Sequence, residues 1–258
     1  HYQPYDRLPI VHFGFWQETL AIWADEGHIP RTLAETWGDG NPADAEITRL
    51  LGFDMNFFTT FCPNAHLLPG FPTEVLEEMP DGSKKIRNSD GVVVMQKPEA
   101  GSIPMEFEHL LKDRASWEAH YKHRYEFHED RVRHTPVLVN GQMIPWKDGG
   151  LEFLQSGERD YAISLYAGSL FGSIRNVLGV MVASYLFAED DELFTEIVDT
   201  QGELVYQVAK YALESGAKFD FGHFWEDICF KNGPLIIPSV FEEKVGPHYK
   251  HITQLMNE

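Results

Sequence analysis

The sequence predicts an α/β fold built around a parallel sheet, in the form of a decorated (β/α) barrel. Three observations carry that expectation. Short apolar runs rich in β-branched and aromatic residues alternate with helical patterns along most of the 258 residues. The helical patterns come in pairs between some strands, which a simple doubly wound sheet does not need. The hydrophobic share of 43% and the charged share of 24% are those of a globular chain long enough to bury one large core.

Residues 7–15 (RLPIVHFGF) form the first strand candidate. A helix is expected over residues 17–26, with Leu20, Ala21 and Trp23 on one side and Gly27 as its stop. Residues 43–51 repeat the helical pattern through Ala45, Ile47, Leu50 and Leu51, and Gly52 ends it. Residues 53–61 (FDMNFFTTF) are the next strand candidate. The texture changes at Pro72. Pro80-Asp81-Gly82 and Ser89-Asp90-Gly91 are strong turn signals, with short extended patterns at 84–88 and 92–96. They predict an antiparallel meander over residues 72–104, inserted over one face of the main fold. A helix is expected over 116–132.

Strand and helix then alternate again. Residues 161–166 (YAISLY) form a strand candidate, and Gly168-Ser169-Leu170-Phe171-Gly172 is a glycine-bracketed turn into a helix over 173–178. Residues 177–188 (VLGVMVASYLFA) are the longest apolar stretch; they are too short to span a bilayer and are expected as a buried helix. Residues 191–214 are the clearest helix, with a stripe through Leu193, Ile197, Leu204, Val208 and Ala212. Asp190, Asp191 and Glu192 sit at its positive end. Residues 219–224 read as a short strand. Ser239 followed by Glu242 reads as a capping box that opens a last helix toward Met256, kinked or split at Gly246-Pro247.

With 21 Lys and Arg against 40 Asp and Glu, the net charge is −19. Such a surface repels a phosphate backbone and an anionic bilayer, so neither nucleic acid nor membrane is an expected partner. The two cysteines, Cys62 and Cys229, form no CxxC pair and suit a reducing cytoplasm, which is the expected location.

Two stretches, residues 6–30 (DRLPIVHFGFWQETLAIWADEGHIP) and 219–249 (FDFGHFWEDICFKNGPLIIPSVFEEKVGPHY), resemble the uroporphyrinogen decarboxylase superfamily, especially its decarboxylase-like and corrinoid methyltransferase-like branches. Residues 168–179 (GSLFGSIRNVLG) are similar to the glycine-bracketed loop after a middle strand of that family. Trp225-Glu226-Asp227, then Gly233-Pro234-Leu235-Ile236 and Pro238-Ser239, resemble its ED…GPLISP signature. The resemblance covers most of the chain, the meander least. It implies a (β/α)8 TIM barrel of the uroporphyrinogen decarboxylase type over residues 1–258, with its site at the C-terminal ends of the strands. About four parallel strand candidates are visible where such a barrel has eight. The resemblance therefore implies that the chain holds roughly the first five units and lacks the C-terminal ones.

The family's decarboxylases carry an arginine-bearing loop after the first strand and an aspartate after the second, an arginine fork being the physical answer to clustered carboxylates. Here the first loop, residues 12–18 (HFGFWQE), has no arginine, and the second strand ends at residues 57–61 (FFTTF) without an aspartate. The leading expectation is therefore a corrinoid-dependent methyltransferase. It would carry out O-demethylation or a similar transfer from a small methylated substrate, an aryl methyl ether among the candidates, to a corrinoid carried by a partner protein. Uroporphyrinogen decarboxylase itself, a lyase of tetrapyrrole biosynthesis, is the alternative, and a non-catalytic barrel fragment or binding module is the third reading.

His223, Glu226 and Asp227 follow a strand candidate and are the expected catalytic cluster, able to move a proton or hold a metal. His12, Phe13, Phe15, Trp16, Phe57 and Phe58 are expected to line an aromatic substrate pocket, with Arg175 facing an anionic group. Many thiol-using members of the resembled branch hold zinc on a His-x-Cys pair and a later cysteine. No His-x-Cys occurs here, so the metal is left open. A homodimer is a further expected partner. His120, His123, His128 and His134 lie in a highly charged helical pattern and read as a solvated face. The spacing of Gly168 and Gly172 is not a dinucleotide fingerprint.

Overall fold

The computed structural model describes residues 6–56, 60–98, 104–159 and 161–257, the side chains of residues 55 and 56 excepted. The chain divides into two compact units, residues 1–60 and 61–258.

In the first unit, β1 (Val11–His12) runs parallel to β2 (Met55–Asn56), with Val11 opposite Met55 and His12 opposite Asn56. Between them lie α1 (Gln17–Asp25), α2 (Arg31–Thr36) and α3 (Pro42–Leu51). The expected strand over 7–15 is only two residues long. Pro9 has no N–H to give a ladder, the Ile10 N–H is taken by the Asp54 carboxylate at 2.7 Å, and Gly14 leaves the extended region at φ +138°. The boundaries of α3 follow local chemistry. The Asn41 side chain accepts from Asp44 N at 2.9 Å, Pro42 opens the first turn, and Gly52 closes the helix at φ +76°. Leu20, Ile29, Ala34 and Ile47 form the core of this unit.

The second unit opens with a four-stranded antiparallel sheet in the order β3 (Glu74–Glu78), β4 (Lys84–Arg87), β5 (Val92–Gln96), β6 (Met105–His109). It occupies the region of the turn signals and runs on to His109. Gly82 and Gly91 take positive φ at its turns, and Val92, Val93 and Val94 are buried. The helix expected over 116–132 is broken. It is replaced by α4 (Arg114–Ser116), a π turn over Trp117–Tyr121, a 3-10 turn over Lys122–Tyr125, and α5 (Asp130–Arg133). Trp117, Tyr121 and Tyr125, four residues apart, are the side that buries, while His120, His123, His128 and His134 face solvent. A hairpin follows, β7 (Pro136–Val139) with β8 (Gln142–Pro145), turning on Asn140 and Gly141, both at positive φ. Next come α6 (Gly150–Ser156) and β9 (Ser164–Tyr166).

The apolar stretch 177–188 is not one helix. α7 (Phe171–Leu178) and α8 (Val180–Glu189) meet at 106° around Gly179. The His109 ring sits where a Cβ at Gly179 would be, within 2.5 Å, and its Nδ1 donates to Val177 O at 3.2 Å. Among the described residues no single helix is long and apolar enough to cross a membrane. α9 (Asp191–Glu214) buries the expected stripe, and Asp190 caps it through Leu193 N at 2.9 Å. The chain ends with β10 (Phe221–His223), the short antiparallel pair β11 (Cys229–Phe230) and β12 (Gly233–Pro234), α10 (Pro238–Val240), a π turn over Phe241–Val245, and α11 (Gly246–Asn257). Ile237 and Pro238 open this last helical stretch in place of the expected Ser239 box.

The expected (β/α)8 barrel is therefore corrected: the fold is mixed α/β with small sheets. Among the described residues parallel pairing is confined to β1 with β2, β9 with β10, and a bridge from Phe61 to Leu165. The larger sheet is antiparallel, and no run of eight alternating strands and helices is present among the described residues. Parallel segments of two or three residues are too short to carry the stagger that closes a barrel. Two of the segments between them fold as antiparallel hairpins where the repeat would need crossover helices.

One surface network ties α9 to the broken helix. The Glu196 carboxylate accepts from Lys122 Nζ (2.7 Å), Arg114 Nη1 (2.8 Å) and the indole of buried Trp117 (3.1 Å). These hydrogen bonds hold its pKa down to about 2. A depressed carboxylate adds stability above its ordinary value of 4.5, and that stability is lost as pH falls toward about 2. Glu196→Ala is expected to cost about 1–3 kcal/mol at pH 7, because the Trp117 N–H loses its acceptor. It should also flatten the acid-side slope of thermal unfolding measured from pH 5 to pH 2.

Candidate functional site

After β9 the chain turns at Gly168 (φ +79°) into α7. The first amides of a helix have no acceptor within it. Here they are met by Glu226, from the loop that follows β10. Its Oε1 accepts from Leu170 N (2.7 Å) and Phe171 N (2.9 Å), and its Oε2 from Gly172 N (2.8 Å) and Ser169 Oγ (3.1 Å). The Tyr249 hydroxyl on α11 also donates to Oε1. Burial, with the Glu226 charge beside it, pushes the Tyr249 phenol well above its ordinary value and keeps it a donor. Gly172 permits the approach: a Cβ there would lie 2.5 Å from Ser169 Oγ and 3.0 Å from Glu226 Oε2. Both carboxylate oxygens are engaged by protein donors, so Glu226 is built as an anchor for the loop.

Its neighbours point elsewhere. Asp227 is exposed and lies 3.4 Å from Arg175 Nη2, and the same Nη2 donates to Asn176 Oδ1 at 2.7 Å. Arg175 is thus engaged by its own chain. His223 ends β10 half-buried, its ring centroid 5.5 Å from that of Tyr166, and burial lowers its proton affinity.

Of the expected aromatic pocket residues, His12, Phe13, Phe15 and Trp16 are described, and they lie in the first unit. His12 is buried; its Nδ1 accepts from Gly14 N (3.2 Å), so Nε2 carries the proton toward Thr48 Oγ1 (2.8 Å). Burial lowers its pKa against the opposing pull of Asp44. Phe15 stacks on His12 at 4.5 Å and meets Trp23 and Trp37 edge-on, which is core packing. Phe13 and Trp16 are 63% and 54% exposed. Phe57 and Phe58 lie outside the described residues.

A second feature shares α7. A cavity of about 380 Å³ opens beside it in the second unit. Asn64 and His66 line it from the segment after Phe61, Ser89 and Asp90 from the β4–β5 turn, and Ser173 and Asn176 from α7. The His66 ring is exposed to the cavity, with Nδ1 3.5 Å from Ser173 Oγ. Burial lowers the His66 pKa, Asp90 raises it and Arg131 lowers it further. Burial raises the Asp90 carboxyl, opposed by His66.

Arg131 holds this wall. It is 1% exposed, and its guanidinium donates to backbone carbonyls: Nε to Glu126 (2.9 Å), Nη1 to His66 (2.6 Å) and Asn64 (3.3 Å), and Nη2 to Arg124 (2.5 Å). Burial brings its pKa down to about 10. Sequence reasoning singled out none of Asn64, His66, Asp90 and Arg131 for a site. Arg131 is hidden in a run of surface charges, and Asp90 is masked by its Ser-Asp-Gly turn signal. Among the described residues no three His, Cys, Asp or Glu side chains gather as a metal site.

No protein-family model matches the chain, and no curated protein matches it significantly.

Proposed function

We propose that the chain forms part of an enzyme of the uroporphyrinogen decarboxylase-like group, of its corrinoid-linked methyltransferase branch, acting on a small methylated substrate held in the cavity beside α7. One observation carries this reading. Two of the stretches that support the resemblance, 168–179 and 219–249, converge on one carboxylate, Glu226, although Ser169 lies 57 positions before it and Tyr249 lies 79 positions after Leu170. α7, anchored there, presents Ser173 and Asn176 to the cavity. Both cysteines are free and exposed, in keeping with a reducing cytoplasm.

The alternative, decarboxylation of a polycarboxylate, is less well supported. Among the described residues no lysine or arginine lines the cavity, and the nearby Arg131 uses its donors on backbone carbonyls.

A corrinoid is much larger than a ligand of this cavity, so it would meet the substrate at the cavity mouth on its own carrier. When bound, it supplies the nucleophile that takes the methyl group. The residues of this chain bind and orient the methylated oxygen and hold a proton for it. Breaking the methyl–oxygen bond leaves the electron pair on oxygen, and His66, with Asp90 beside it, donates the proton that this oxygen needs. No step is routed through zinc, because the described residues offer no ligand set for it.

The test is methyl transfer from a panel of methyl ethers to reduced corrinoid, followed by its visible spectrum. The rate requires His66 protonated and Asp90 ionised. The Asp90 pKa is raised from 3.8 and the His66 pKa lowered from 6.5. The profile should therefore be a bell with its optimum between 3.8 and 6.5, its alkaline limb falling through the lowered His66 pKa before neutrality is reached. His66→Gln should lower the rate by about 10²–10⁴-fold. No transfer from any donor, or transfer unchanged in His66→Gln, would overturn the proposal.

A further inference from the structure

We infer that the cavity beside α7 takes an uncharged, hydroxyl-rich ligand, a methyl ether of a sugar or polyol, an inference that rests on the reading of this cavity as the substrate site. Several polar functions at its wall remain unused among the described residues. Asn64 engages only its Oδ1, toward His66 N and Arg131, and Asn176 engages only its Oδ1, toward Arg175, so both amide NH2 groups are left over. The Ser89 hydroxyl, the Asp90 carboxylate and His66 Nε2 have no hydrogen-bond partner among the described residues. Donors and acceptors thus both line one space. A hydroxyl group is both donor and acceptor, and several of them on one ring match such a wall.

Charge narrows the class. Among the described residues no lysine or arginine lines the cavity, and Asp90 does, so a carboxylate or phosphate would lose its hydration beside a like charge with only His66 to oppose it. A quaternary ammonium would leave the two amides unmatched and find no cage of aromatic rings. Leu67 and Val177 supply an apolar side for the C–H face of a sugar ring. In the reaction, the methyl–oxygen bond of the ether breaks and its electron pair stays on oxygen. That oxygen takes the His66 proton and becomes a hydroxyl, and the methyl group passes to reduced corrinoid.

The experiment is binding rather than turnover: calorimetric titration of the full chain with 3-O-methylglucose and an O-methyl inositol, beside anisole, methoxybenzoate and tetramethylammonium. Saturable binding of the O-methyl sugar or inositol is expected. It should weaken about tenfold in Asn176→Ala and at least as much in Asp90→Asn, the loss of one good hydrogen bond each. Asn176 is exposed, so its variant reads binding without disturbing the fold. No binding of either O-methyl polyol, affinity unchanged in both variants, or preference for methoxybenzoate or tetramethylammonium would overturn the inference. Polyol binding without methyl transfer would sustain it and overturn the transferase reading. Methyl transfer from anisole without polyol binding would do the reverse.

Discussion

Glu226→Ala is expected to lower the unfolding free energy by about 3–5 kcal/mol, read as a drop in the urea midpoint at unchanged slope. The amides of Leu170, Phe171 and Gly172 are buried and lose their acceptor together, as do Ser169 Oγ and the Tyr249 hydroxyl. Each such loss costs about 1–3 kcal/mol by itself, and the sum falls short of additive because water can follow into the space vacated. Glu226→Gln should be intermediate, since its amide nitrogen would face backbone donors where an acceptor is needed. Because the loss is read without substrate, it separates an anchoring role from a purely catalytic one. A variant with the wild-type midpoint would show that the carboxylate does not hold the loop.

Arg131→Met should cost about as much, on the order of 3–5 kcal/mol, by a different route. The side chain is a buried cation whose partners are carbonyl oxygens rather than carboxylates. Methionine fills a similar volume but leaves the carbonyls of Glu126, Asn64, His66 and Arg124 without these donors. Arg131→Lys keeps the charge and loses the planar fork, so it should recover only part of the stability. Since Asn64 and His66 line the cavity, hydrogen exchange should show the 64–66 amides opening more readily in Arg131→Met than in the wild type. Unchanged protection there would mean that the wall is held by something else.

Much of the local structure was legible. Gly52 ends α3, the charged start and apolar stripe mark α9, and the Pro-Asp-Gly and Ser-Asp-Gly turns mark the antiparallel sheet. The β7–β8 hairpin carried an equally clear sign in Asn140-Gly141, which the expectation of strand–helix alternation obscured. The site was legible only in part. Glu226 stood out by resemblance, yet its saturation by five donors did not. His12 and Phe15 looked like pocket residues because an apolar strand end looks the same whether it faces a ligand or the core of its own unit. His66 had no mark at all, lying in a loop between Ala65 and Leu67.

By itself the sequence determined the anionic surface, the caps and turns, the amphipathic helices and the tight turn at Gly168. These depend on charge count, on φ and ψ, and on hydrogen bonds within four or five residues, which local residue types control. Tertiary structure decided how far the strands pair, where α7 bends from α8, and which polar groups share a cavity. The Glu226 cradle joins groups 57 positions apart, and the Arg131 wall joins groups 65 and 67 apart. No local period encodes such contacts. They form only when the packing of other elements brings the two segments together, and only then does a carboxylate become an anchor or a loop histidine face a binding space.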